Sequence, residues 1–125
     1  MIELARVLSQ YSFKRSIIYL NTNGEEMGAS GGASFAHYCR EHNINIICVF
    51  NIDMLGYNPI DEPLILFHSR NSGATLDLEK YYNEVANLYL TDIPTIQSDK
   101  ASAGDCYFFR MYDYPAMYIG DPHGI

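Results

Sequence analysis

The chain has 125 residues, enough for one modest domain with a real core. Its 48% hydrophobic and 18% charged residues are an ordinary globular composition, and no apolar run approaches the roughly 18 residues needed to cross a bilayer. A formal net charge of -7, with its eight basic residues scattered, argues against nucleic acid or anionic membrane as partners, since either needs clustered Lys and Arg.

Met1 leads into Ile2, Leu4, Ala5, Val7 and Leu8, an apolar pattern that suits a helix packed on a sheet; it lacks both an N-cap before it and the layout of a signal peptide. The run Ser16-Ile17-Ile18-Tyr19-Leu20-Asn21 is β-branched and aromatic and predicts a short buried strand. A polar, Gly-containing turn covers residues 22–32, and residues 33–41 follow as a helix with Phe35, Ala36 and Cys39 on one face. Residues 44–52 and 64–67 are apolar runs of strand length, the latter set off by Pro59 and Pro63. Residues 75–90 form the clearest amphipathic helix, with Leu78, Tyr81, Tyr82, Val85 and Leu88 at helical spacing and Asp77 and Glu79 in its first turns. A last strand, residues 116–119, follows Pro115. Strands alternating with helices predict an α/β fold, a three-layer αβα arrangement whose mixed, mostly parallel sheet has helices on both faces. No linker divides the chain, so residues 1–125 are read as one domain or part of one. Cys39, Cys48 and Cys106 cannot all pair with one another and sit in no close-spaced motif, which makes them free thiols.

Two places carry chemistry. In Asn21-Thr22-Asn23-Gly24-Glu25-Glu26-Met27-Gly28, adjacent carboxylates lie after a strand and before a helix, where ligands collect in open α/β sheets. Neighbouring loop side chains can face different ways, so one carboxylate can bind a metal while the other takes a proton from water that the metal activates. A Glu-Glu pair in a loop can equally be solvated charge. The second place is Asp53, which closes the apolar run Ile46-Ile47-Cys48-Val49-Phe50-Asn51-Ile52; a carboxylate there needs a cation, a metal or backbone donors.

The segment Glu25-Glu26-Met27-Gly28-Ala29-Ser30-Gly31, followed by Asn51-Ile52-Asp53-Met54-Leu55-Gly56-Tyr57, resembles the paired signatures of the zinc-dependent di-metal exopeptidases. These are the bacterial leucyl aminopeptidase, glutamate carboxypeptidase and glutaminyl cyclase type, with a phosphorylase/hydrolase-like fold. Ala103-Gly104-Asp105-Cys106 with Phe109, then Tyr114-Pro115-Ala116, is similar to the family's later helix start and strand entry, so the resemblance runs over essentially the whole chain. It implies Glu25 as general base, Glu26 as a ligand of one zinc and Asp53 as a ligand of the other.

The family's His-x-Asp motif and the Asp that bridges its two metals have no counterpart here and are expected upstream of Met1, and its final His beyond Ile125. His123 is the only candidate near that end and stands too early. His37, His42 and His68 match no motif. With one recognisable ligand per ion the chain is expected to hold zinc weakly and to be inactive alone, as a fragment of an aminopeptidase-like hydrolase. A non-catalytic binding domain and a glutaminyl-cyclase-like acyltransferase are the alternatives. The expected partner is a peptide or amino-acid-derivative substrate, and a sheet lacking its first strands is expected to self-associate through its open edge.

Overall fold

The computed structural model describes residues 1–55, 65–68, 73–92, 95–98 and 104–120. Along the chain these form α1 (Ile2–Leu8), a single 3-10 turn (Glu25–Met27), α2 (Ser30–Glu41), β1 (Val49–Ile52), β2 (Ile65–His68), α3 (Ala74–Tyr89), β3 (Thr95–Ser98), α4 (Cys106–Met111) and β4 (Ala116–Gly120). The four strands lie in the order β1-β4-β2-β3. β4 runs parallel to β1 and antiparallel to β2, and β2 runs parallel to β3. Two of these three pairings are parallel, as expected of a mixed, mostly parallel sheet.

All five residues of β4 are buried, because the strand is covered on both faces. Alternation of side chains divides them. Ala116 and Tyr118 join Ala36 of α2 and Cys106 and Phe109 of α4 in one core cluster, while Met117 and Ile119 meet Leu78 and Tyr82 of α3 in the other. The three-layer αβα arrangement follows directly, with β4 as its middle. Burying Met117 completely is worth about 1.5 to 3 kcal/mol.

Several expectations are corrected. Residues 16–21 form no strand: they are irregular, and Ile18 is 60% exposed. β-branched composition favours a pleated conformation, yet a strand exists only where a neighbour completes its ladder, and none pairs with this run among the described residues. The apolar run at 44–52 becomes strand only from Val49, where Val49 N–H donates to Pro115 O at 2.8 Å. Upstream, Ile44 O accepts from Tyr114 Oη at 3.2 Å instead of from a strand. Helix α1 forms as expected but buries no residue, so its apolar stripe does not pack on the sheet. In α3 the period is right and the face is rotated: Thr75, Glu79 and Ala86 are buried, whereas Tyr81 and Leu88 are exposed. β3 was not foreseen. Helix α2 begins at Ser30, three residues before the apolar stretch, and takes in Gly31 and Gly32.

Candidate metal and catalytic site

Gly24 bends the chain out of residues 16–23 with φ 68, a left-handed conformation that costs glycine little and β-carbon residues more. That bend starts the 3-10 turn carrying Glu25 and Glu26, and Gly24 O accepts from Met27 N–H at 3.2 Å and from Ser30 N–H at 3.2 Å. Ala29 N–H donates to Glu25 O at 2.7 Å, and Gly31 N–H to Asn23 O at 3.1 Å. The paired glutamates therefore sit on a loop tied at both ends to the start of α2.

Asp53 stands one residue beyond β1. Its N–H donates to Ile119 O at 3.0 Å, prolonging the β1–β4 ladder, and its carbonyl accepts from Tyr118 Oη at 3.4 Å. The backbone on either side of the carboxylate is thus held by β4, the most buried strand.

Electrostatics show that these groups share one region. Burial pushes the Glu25 carboxyl above its usual range, and the charges of Glu26, Asp53 and Asp105 push it further the same way. Tyr118 is pushed up to about 12, first by burial and then by Asp53, Cys106 and Glu25. A carboxylate that resists ionisation beside three others is a better proton acceptor near neutral pH than an ordinary glutamate. Glu25, Glu26, Gly28, Ala29, Tyr107 and Phe108 also line an open cleft of ≈ 370 Å³. Its lining combines acidic and aromatic side chains.

Residues that pattern reading did not single out hold this arrangement together. Asp105, just before α4, accepts a hydrogen bond from Thr22 Oγ1 through Oδ2. Asn51 Oδ1 accepts from Cys106 N–H at 2.9 Å. Asn51 lies two residues before Asp53, on the same face of β1 by strand alternation, which is the one feature of the sequence that pointed to it.

Whether zinc suits the site is a question of donor type and donor number. Carboxylates crowded closely enough to push up the Glu25 carboxyl are stabilised by a divalent cation, and carboxylate oxygen is a proper zinc donor. Number is the shortfall: a catalytic zinc takes three protein ligands, and among the described residues no group of three His, Cys, Asp or Glu side chains stands ready to hold a metal. The residues present fit part of a zinc centre. His37 lies elsewhere, on α2, within 3.2 Å of Glu41 and 3.3 Å of Tyr112 Oη, and His42 stacks on Tyr38 with ring centroids 4.0 Å apart. Both are exposed side chains of one helix end, as expected of histidines without a motif. His123, the side chain of His68, and Gly56-Tyr57 of the second signature lie outside the described residues.

Residues 1–124 match the sequence pattern of peptidase family M28. Probable zinc metalloproteases of Phaeosphaeria nodorum and Pyrenophora tritici-repentis are each 30% identical to the chain over 61 residues, which is 49% of this chain and 12% and 14% of those proteins. Among solved structures, the LapA aminopeptidase of Legionella pneumophila superposes with a TM-score of 0.82 at 25% identity, covering 95% of this chain and 32% of that one. The matched part of the chain therefore covers about an eighth of the length of these curated relatives, and the chain spans about a third of the solved aminopeptidase.

Proposed function

The chain belongs to peptidase family M28, and on that footing we propose that it is the part of a zinc aminopeptidase that supplies the general base and one ligand to each of two zinc ions. Glu25 is the base, Glu26 binds one ion and Asp53 the other. The observation that carries this reading is the shared field of Glu25, Glu26, Asp53 and Asp105 at the carboxyl end of β1.

Zinc, when bound, supplies Lewis-acid activation of water and of the scissile carbonyl. The chain's own contribution is then a matter of protons and placement. Glu25 takes the proton of the attacking water on its carboxylate and can return it to the leaving amine, a transfer favoured by its raised pKa. The glutamates lining the cleft favour a positively charged amino terminus, which supports cleavage of an N-terminal peptide bond, and Tyr107 and Phe108 in the same lining suit an apolar side chain.

With too few donors for either ion, the 125-residue chain alone releases no product from a leucine anilide at added zinc. In a polypeptide that joins it to the remaining ligand segments, Glu25→Gln lowers turnover by about 100- to 10,000-fold while zinc content, read by mass spectrometry, is unchanged. Glu26→Ala and Asp53→Ala each strip zinc from the same protein. Normal turnover in Glu25→Gln refutes its role as base.

A further inference from the structure

Among the described residues no backbone hydrogen bond joins the two carboxylate-bearing segments; both are fastened to the start of α4. Thr22, three residues before Glu25, donates through Oγ1 to Asp105 Oδ2. Asn51, two residues before Asp53, accepts the next amide, Cys106 N–H, at 2.9 Å. Consecutive residues thus grip the two segments from one point. α2 closes on the same point, since a Cβ at Gly32 would come within 2.6 Å of Asp105 Cγ, so only glycine admits the carboxylate there. Asp105 Oδ1 is buried against that surface with no hydrogen-bond partner among the described residues. A buried carboxylate oxygen left in that state is costly and has to be offset by what its partner oxygen and the surrounding packing hold in place.

We infer that Thr22, Asp105 and Asn51 are positioning residues that form a two-sided latch on the first turn of α4, setting the separation between the Glu25–Glu26 loop and the Asp53 turn. None of the three is assigned to metal or substrate; each acts through the carboxylates it places. The consequence for metal binding rests on the peptidase reading above, whereas the mechanical coupling of the two segments does not. Partners that orient a metal-binding side chain are typically worth 10- to 100-fold in affinity, which sets the scale of the expected effect.

The test uses the isotope-labelled chain, read by amide hydrogen exchange and by zinc titration followed in its amide spectrum. Ala29 and Gly31 N–H report the glutamate loop, and Asp53 N–H reports the turn, because each is hydrogen-bonded there. Thr22→Val is expected to speed exchange at Asp53 as well as in its own loop, and Asn51→Ala to do the reverse, with α3 amides unchanged and the double variant no worse than the singles. Zinc affinity falls about 10- to 100-fold in both. Asp105→Asn, which keeps an oxygen for Thr22, retains most of it, while Asp105→Ala does not. The latch is overturned if each folded variant loosens only its own segment, or if zinc affinity stays within about twofold of the parent. Cross-talk in exchange without zinc uptake by the parent chain upholds the latch, because the mechanical coupling does not need the metal; the metallopeptidase reading fails separately, on normal turnover of Glu25→Gln in the polypeptide that carries the remaining ligands.

Discussion

At Gly32 and Cys106, close packing around the site decides what a single atom costs. A methyl group at Gly32 meets the carboxylate of Asp105, and Asp105 is held by Thr22, so neither side can yield freely. Gly32→Ala is expected to destabilise the chain by about 1 to 3 kcal/mol, the usual cost of overpacking, measured by urea unfolding. Cys106 is entirely buried beside it, and burial pushes its thiol from 9.0 to about 11, against the opposing influence of Arg110, whose Nη1 donates to its Sγ at 3.4 Å. The folded chain holds that proton more tightly than the unfolded one, so the thiol leaves stability intact below the unfolded pKa and removes it as pH rises from 9.0 toward about 11. The loss amounts to about 2 to 3 kcal/mol by linkage, and Cys106→Ala should flatten that part of an unfolding series across alkaline pH.

Among the elements, β4 is the one on which the others depend. It is paired on both sides, it separates the two core clusters, and its ladder reaches Asp53 through Ile119 O. Its first amide, Ala116 N–H, donates to Thr75 Oγ1 of α3 at 3.3 Å, so a helix side chain does what a strand neighbour does elsewhere in the sheet. Thr75→Val keeps the shape and removes the acceptor. Leaving that buried donor unsatisfied should cost about 1 to 3 kcal/mol and raise hydrogen exchange at Ala116, and Thr75→Ser should restore both. Rotation of the α3 face has the same origin: Thr75 turns inward to serve Ala116, and with it Glu79 and Ala86, one and three turns further on, take the inner side.

For the molecule as a whole, apolar surface stays open at β1 as well as on α1 and the end of α3. Among the described residues β1 ends the strand order with one side unpaired, Phe50 is 41% exposed on it, and Ile17, Ile18 and Ile47 are exposed as well. A strand with an unpaired side and apolar neighbours is a template for another chain. We expect two or more copies to associate through this side, giving a mass above that of one chain in size-exclusion chromatography with light scattering; a monodisperse monomer would count against it.

Helical and strand periodicity, read locally, was enough to place α2, α3, β2 and β4 and to predict the layered α/β class, because burial writes its repeat into neighbouring residues. The order of the Glu25-Glu26 and Asp53 signatures likewise identified the family to which residues 1–124 belong. What tertiary structure alone decided were the contacts between Thr22 and Asp105 and between Asn51 and Cys106, the inward face of α3, and the failure of residues 16–21 to become strand. Partners 83 and 55 residues apart leave no periodic trace, and a run with strand composition carries no record of whether a neighbour is present to pair with it.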